Sequence, residues 1–516
     1  MQNHSLESST LWELVTQRAE RTPDARMLIE ADDRITTFGQ FAREAERVAA
    51  GLHRLGIGPG TEVTWQLPTS APAIILSVAL ARLGARQNPV IHLYGRKEVS
   101  AILTQNRSSF YIVPARMPGE RDYVELAESV CASLAAPPVL ITFDASIAAD
   151  DASALPAAPA DGTTPRWVYY TSGTTSEPKG ALHTDSTLMA AGQVYAELLG
   201  VGPSDVGTIA FPFAHVGGPM NLVMLLARGM SAVLLPKFSV EEAVRIYRRH
   251  GVTLTTGSTA HYLAYLGEQR KQPDVPVVPT LKVMSGGGAA KPPELYFEAR
   301  RELNCTIAHC YGMTEAPMIA GGSPRHSDDQ LAYSDGQPVA GMEIRIVRAD
   351  ESLAGIGESG EIRVKGSTVC KGYTDPRLNF DAFDADGFFR TGDLGMRCAD
   401  GHIALTGRLK DVIIRKGENV SAREIEDILY QHPKVAGAAV IGLPDRERGE
   451  RVCAVIELRD PNAPLQFGEM LEFFEAAGMM RQKIPEQLEI VESLPRNETF
   501  NKVLKFKLRD MFAKAG

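Results

Sequence analysis

Apolar and polar positions alternate along the first 120 residues at two different periods. From Phe38 to Leu55 (FGQFAREAERVAAGLHRL) apolar side chains recur every three or four positions, which predicts an amphipathic helix. Gly56–Gly60 (GIGPG) ends it, and the following EVTWQLP predicts a strand. The stretch Ala73 to Leu83 predicts a buried helix; its most apolar part, AIILSVALA, stops at Arg82 and is too short to cross a bilayer. Trp167–Tyr170 reads as a strand and Ala190–Leu199 as a helix, and the alternation resumes between residues 201 and 310. This rhythm predicts an α/β fold. The stretch 135–165, rich in Ala, Pro and Asp, reads as an irregular surface connection.

After about residue 335 the pattern changes. MEIRIV (342–347), GEIRVKG (360–366) and GHIALTG (401–407) are short β-rich runs that suggest a small β-subdomain. A compact α/β segment begins at Asp411. Ser421 and Glu424 form an S-x-x-E capping pattern ahead of a helix with Ile425, Ile428 and Leu429 on one face. VAGAAVIGL and VCAVIEL then read as strands. The expectation is a large N-terminal α/β domain of several subdomains over residues 1–409, followed by a small C-terminal α+β domain over residues 410–516.

Composition narrows the class. A chain of 516 residues is too long for one core. A net charge of −9 argues against a general nucleic-acid or anionic-membrane surface, though it allows a local basic patch for a phosphate. The six cysteines (131, 305, 310, 370, 398 and 453) form no C-x-x-C pair and fit reduced thiols of the cytoplasm. The beginning MQNHSLESSTLWEL shows no basic region followed by an apolar block, so no secretory signal is expected.

The chemistry is concentrated in YYTSGTTSEPKGALH, from Tyr169 to His183. Glycines let backbone N–H groups turn toward an anion. The hydroxyls of Thr171, Ser172, Thr174 and Thr175 add donors, and Lys179 adds a positive charge, together suiting a polyphosphate. A flexible Ser/Gly turn is the plainer alternative, but this loop follows a strand and ends on a lysine. It is not a Walker A loop, because Pro178 stands where that pattern needs glycine and Gly180 follows the lysine. GIGESG (355–360) fits G-x-G-x-x-G but precedes a strand, so it reads as a β-turn.

The loop resembles the phosphate-binding signature of the adenylate-forming superfamily, the acyl- and aryl-CoA synthetases, peptide-synthetase adenylation domains and luciferases. Ser176 replaces the last loop glycine of that signature. Further stretches follow in the family's order: YGMTE (311–315), RTGDLG (390–395), GRLKDVIIRKGENVSAREIE (407–426) and LPRNETFNKVLKFKLR (494–509). TFGQF and GIGPGTEVTWQLPTS match its N-terminal part, so the likeness covers essentially the whole chain.

The resemblance implies an ATP-dependent carboxylic acid–CoA ligase that uses ATP, Mg²⁺ and coenzyme A. Thr171, Ser172, Gly173, Thr174, Thr175 and Lys179 would hold the β- and γ-phosphates. Thr314 would contact the α-phosphate, and Glu315 would ligate Mg²⁺. Tyr311 would stack on adenine opposite Gly287, Gly288 and Ala289, with His309, Cys310, Gly312 and Met313 completing the nucleotide site. Asp393 would accept the ribose hydroxyls, with Arg408 near ribose and phosphate. Lys410 would be the hinge of a mobile C-terminal domain. Gly417 would let the CoA pantetheine pass close to backbone. Lys502 would be the catalytic lysine; the motif carries one extra residue, and Asn501 stands where the family has glycine, so Lys505 is the fallback. The catalytic set is thus Lys502, Lys179, Thr314 and Glu315.

His215, in FPFAHVGG, resembles the histidine bordering the acyl pocket, although a lone histidine is more often structural. Tyr262, Gly287 and Met313 would line the same pocket, near STAHYL (258–263) and Met318. Lys291 stands where the family has an aliphatic residue; it is expected to face solvent, with contact to a polar group on the substrate as the alternative. No acid near His215 could bind an α-ammonium, which argues against amino acids. A medium-chain, alicyclic or aromatic acid is the expected substrate. Loading of an acyl-carrier protein, a luciferase-like reaction and a non-catalytic nucleotide-binding relative are the alternatives. No nucleic acid and no membrane span are expected; a homodimer is left open.

Overall fold

The computed structural model describes residues 6, 8–115, 121–149, 151–171, 178–415, 418–497 and 502–513. Among these, five β-sheets and the helices packed on them make a mixed α/β molecule of two parts.

The first sheet has six strands in the order Val139–Phe143, Phe110–Pro114, Glu62–Trp65, Arg86–Pro89, Pro165–Thr171 and Lys179–Thr184. All neighbours are parallel except the last pair, in which Thr171 faces Lys179 across the ends of two antiparallel strands. Val139–Phe143 corrects the expectation of an irregular connection over 135–165. Its buried Ile141 and Phe143 stand on either side of exposed Thr142, a short period-two stretch masked by Ala- and Pro-rich flanks.

A second sheet runs Leu254–Gly257, Val283–Gly286 and Thr306–Met313 in parallel, then Ala316–Gly321 and Gln337–Pro338 antiparallel. The third joins Ile35–Thr37, Arg26–Ile29, Ser231–Leu234 and Val206–Ile209. One core ties the first and third sheets to five helices, Leu11–Arg21, Phe38–Arg54, Ala71–Leu83, Asp185–Leu199 and Gly217–Arg228. Ala71–Leu83 is apolar on nearly every side because twelve of its thirteen residues are buried. By contrast, Phe38–Arg54 is amphipathic and begins at a capping box in which Thr37 and Gln40 exchange side-chain and backbone hydrogen bonds.

The predicted β-subdomain is a four-stranded antiparallel meander of Met342–Val347, Gly360–Gly366, Phe389–Arg397 and Ile403–Arg408. GIGESG closes a turn through Glu358 N–H to the Gly355 carbonyl, as its sequence context implied. A 3₁₀ turn, Leu409–Asp411, leads out of the meander. Beyond it lies the fifth sheet, in which Gly449–Leu458 pairs antiparallel with Val435–Asp445 and parallel with Gln487–Val491. The helix Ala422–Gln431 packs on this sheet, capped by the Ser421 side chain, which accepts from Glu424 N–H. Two hydrophobic clusters here draw only on residues between 413 and 512, so this part has its own core.

Candidate active site

The site is organised around a two-residue turn, Thr314–Glu315, joining the strands Thr306–Met313 and Ala316–Gly321. The hairpin is tight. A Cβ on Gly312 would lie 2.2 Å from the Pro317 carbonyl oxygen, so only glycine fits. Three bonds clamp the turn from outside. His183 Nε2 lies 2.7 Å from the Thr314 carbonyl oxygen, Cys370 N–H donates to the Glu315 carbonyl at 2.7 Å, and the Tyr373 hydroxyl donates to Glu315 Oε1 at 2.7 Å. Lys179 Nζ stands 5.6 Å above the Tyr373 ring, so one tyrosine lies between the loop lysine and the turn carboxylate. Burial pushes the Glu315 carboxyl above its usual range, opposed by the Tyr373 hydrogen bond and by Lys179. A cation at this place would reverse that tendency.

A second cluster lies on the meander. Asp393 is buried; its Oδ1 meets Arg408 Nε at 3.0 Å and its Oδ2 accepts from the Tyr311 hydroxyl at 3.0 Å. Asp393 and Arg408 face each other across adjacent strands, which fixes this ion pair by register. The strand Val283–Gly286 lies beside Thr306–Met313 and delivers Gly287–Ala289 next to His309–Tyr311. Gly287 approaches closely enough that a Cβ there would lie 2.3 Å from the Cys310 carbonyl oxygen. His309 is buried, with Nδ1 lacking a hydrogen-bond partner, and burial pushes its pKa down to about 4. Burial pushes the Cys310 thiol up to about 11, which makes it a core thiol rather than a nucleophile.

His215 accepts from Gly217 N–H through Nδ1 at 3.1 Å, leaving Nε2 to carry the proton of the neutral ring. Burial, with Lys502 nearby, pushes its pKa down to about 3. A cavity of about 10 Å³ runs beside His215 and Thr314, walled by Val90, Tyr169 and Val216 among others. Met313 is partly buried against the meander's core. Tyr262 is fully buried in the core beneath the second sheet, its ring edge-on to His309 at 6.4 Å and its hydroxyl without a partner. Lys291 departs from expectation. It is buried rather than solvent-facing, and its ammonium donates to the Ala332 carbonyl at 2.7 Å; burial pushes its pKa down to about 8.

Lys502 reaches the site from the C-terminal part. Its backbone N–H donates to Asn497 Oδ1 at 3.0 Å and Asn497 N–H donates back to its carbonyl at 2.8 Å. Burial pushes its ammonium down to about 8; Arg408 and Lys410 push the same way, and Asp393 and Glu315 oppose them. Lys505 instead forms an ion pair with Glu426 at 2.7 Å within the C-terminal part. Lys410 lies in the 3₁₀ turn between the two parts, beside Asp411, which pairs with Arg509 at 3.1 Å. Ser172, Gly173, Thr174, Thr175 and Gly417 lie outside the described residues; Thr171 and Lys179 flank the first four as partners across the strand pair.

Two residues not singled out by sequence reasoning belong to this arrangement. His183 carried a signal, since it follows Lys179 by four residues and so shares its strand face. Tyr373 carried none, because it comes from a loop distant in the chain.

Among the described residues no group of three or more His, Cys, Asp or Glu side chains could hold a metal by itself. A single carboxylate such as Glu315 fits a Mg²⁺ that takes most of its ligands from phosphate and water. No helix among the described residues is long and apolar enough to cross a membrane.

The model of the AMP-binding enzyme family matches residues 15–374, and that of the AMP-binding enzyme C-terminal domain matches residues 424–501. The chain is 28% identical to the medium-chain fatty-acid–CoA ligase of Escherichia coli (strain K12) over 505 residues, 96% of this chain and 88% of that one. It is 32% identical to the salicyl-AMP ligase / salicyl-S-ArCP synthetase of Mycobacterium tuberculosis (strain ATCC 25618 / H37Rv), over 94% of this chain and 88% of that one. The o-succinylbenzoate coenzyme A synthetase from Bacillus subtilis, solved with ATP and magnesium ion, superimposes with a TM-score of 0.83 at 28% identity, covering 96% of this chain and 99% of that one.

Proposed function

This chain belongs to the AMP-binding enzyme family of adenylate-forming acid–thiol ligases, and on that premise we propose that it joins a medium-sized apolar carboxylic acid to coenzyme A at the expense of ATP. The observation that carries the reading is the convergence of Lys502, from the C-terminal part, on the Glu315, Asp393 and Arg408 cluster beside His215. A cation delivered there by a separate domain suits a step in which two anions must meet.

In the first half-reaction the acid's carboxylate oxygen attacks the α-phosphorus of ATP. The new O–P bond forms as the bond to the β-phosphate oxygen breaks, and pyrophosphate leaves. Lys502 offsets the charge of carboxylate and α-phosphate. Thr314 and Lys179 orient the phosphates, and Glu315 holds the Mg²⁺, which when bound neutralises phosphate charge. Asp393, held by Tyr311 and Arg408, accepts the ribose hydroxyls. In the second half-reaction the CoA sulfur attacks the acyl carbon, the bond to the phosphate oxygen breaks, AMP leaves, and the thiol proton passes to solvent. Neutral His215 stands at the acyl side and has no charge with which to hold a second anion.

Apolar neighbours support the substrate class. The segment 208–222 holds Phe211, Phe213, Ala214 and Val216 and no Asp or Glu that could pair with an α-ammonium. Loading of a carrier protein is the second reading, favoured by the likeness to the salicyl-S-ArCP synthetase. A coupled AMP-release assay over fatty, alicyclic, aromatic and amino acids, each with and without CoA, tests the proposal. AMP release requiring both one acid class and CoA is expected. Acid-dependent pyrophosphate exchange without CoA turnover would transfer the reading to carrier loading.

A further inference from the structure

We propose that His183 is a positioning residue that sets the Thr314–Glu315 turn, and through it the Mg²⁺·ATP site; the proposal rests on the functional reading above. Thr314 and Glu315 reach their ligands only if the turn between them keeps one orientation. His183 is wholly buried, and its Nε2 lies 2.7 Å from the Thr314 carbonyl, the peptide group joining the two residues. A carbonyl oxygen can only accept, so Nε2 carries the proton. Nδ1, 3.0 Å from Thr187 Oγ1, then accepts from that hydroxyl. The ring is thus held at both nitrogens in one tautomer. Burial keeps it neutral, its pKa pushed down to about 4, so the donor persists across the physiological range.

The placement of this histidine links two parts of the site. His183 lies on the strand Lys179–Thr184, on the same face as Lys179. That strand is also stitched to the segment clamping the other side of the turn. Leu182 N–H donates to the Gly372 carbonyl at 2.8 Å, Lys371 N–H to the Leu182 carbonyl at 2.7 Å, and Thr374 N–H to the Gly180 carbonyl at 2.8 Å. Tyr373 and Cys370 of that segment bind Glu315. Lys179, Thr314 and Glu315 are therefore registered to one another by His183 on one side and by the 370–373 segment on the other. Without the imidazole, the Thr314 carbonyl loses its donor in a place water reaches poorly, and the turn is free to rotate toward another partner.

The test compares His183→Gln, His183→Asn and His183→Leu in the full chain. A glutamine amide nitrogen reaches about as far as Nε2, an asparagine only about as far as Nδ1. Calorimetric titration with ATP, with and without Mg²⁺, measures the gain in affinity that the ion brings. Thermal unfolding monitors the fold. Asn and Leu are expected to lose roughly tenfold of the Mg²⁺-dependent affinity, and Gln to stay within about threefold of the unsubstituted protein. The acid-dependent kcat should follow the same order, while thioester formation from supplied acyl-adenylate stays unchanged. If Leu does not fold, the Gln and Asn pair decides. Equal affinities for Gln and Asn, whether both kept or both lost, overturn the proposal. Mg²⁺·ATP binding that follows the expected order in a protein inactive with every acid and CoA would overturn the ligase reading and leave the role of His183 standing.

Discussion

At the scale of single residues, Lys502 makes the sharpest statement. Its ammonium is useful only when charged, and burial together with Arg408 and Lys410 lowers its pKa to about 8 in the free protein. The protonated form is therefore present below about 8 and lost as pH rises through it. The acid-dependent kcat/KM of adenylation should fall along that limb, since this parameter reports the free enzyme. Bound phosphate and carboxylate favour the charged amine, so the limb in kcat should lie higher. A pH profile with both limbs at the same value would contradict the assignment. Lys502→Ala should lower the rate of pyrophosphate release about 10²–10³-fold and spare thioester formation from supplied acyl-adenylate. The placing of such residues together was legible where a motif carries its own chemistry, as with Lys179, Glu315 and Asp393, whose roles are those proposed above. It was not where a contact crosses the chain: Tyr373 touches Glu315 over a separation of 58 positions, and nothing local in KGYTDP marks it. Lys291 misled for a related reason, because a lysine in a Pro-rich loop reads as solvated until the Ala332 carbonyl 41 residues away is seen to receive it.

Elements were legible wherever burial produces a period. MEIRIV and GEIRVKG match their strands to the residue because apolar and polar residue types alternate in each, although Gly360–Val364 is buried throughout, and Phe38–Arg54 follows its apolar stripe. Val139–Phe143 was hidden because an edge strand exposes half of a short run and its flanks resemble a loop. Turn geometry also escapes periodicity, although glycine requirements record it. Gly312 lies where the hairpin leaves no room for a Cβ. Gly312→Ala should cost about 1–3 kcal/mol of stability, as overpacking does. It should also displace Thr314 and Glu315. Activity at a temperature well below unfolding should then fall further than the folded fraction, with the loss in adenylation rather than in thioester formation. A protein that stays fully active while its melting temperature drops would show that the turn tolerates the shift and that its orientation matters less than argued here.

For the molecule as a whole, two parts with separate cores are joined by the turn Leu409–Asp411, and polar contacts cross between them. Ser421 Oγ donates to the Thr406 carbonyl at 2.6 Å, and Arg423 of the C-terminal part stands 3.7 Å from the buried Asp335 of the N-terminal part. Such an interface suits docking that must also be undone, as two successive half-reactions at one site require. The arrangement described here brings Lys502 under the influence of Glu315, Asp393 and Arg408, and under the proposed reaction it is the one suited to adenylation. Sequence reasoning reached the two-part division from the change in strand pattern, but not the Arg423–Asp335 contact, since an ion pair between domains leaves no trace in either segment's periodicity. Arg423→Glu places a second negative charge against Asp335 and should weaken the docked arrangement, with little effect on either core. Single-turnover pyrophosphate release should slow roughly tenfold, most strongly at low ionic strength, because added salt screens the repulsion. Thioester formation from supplied acyl-adenylate does not need this docking and should keep its rate. Equal slowing of both half-reactions, independent of salt, would mean that the substitution damages the fold rather than the docked state.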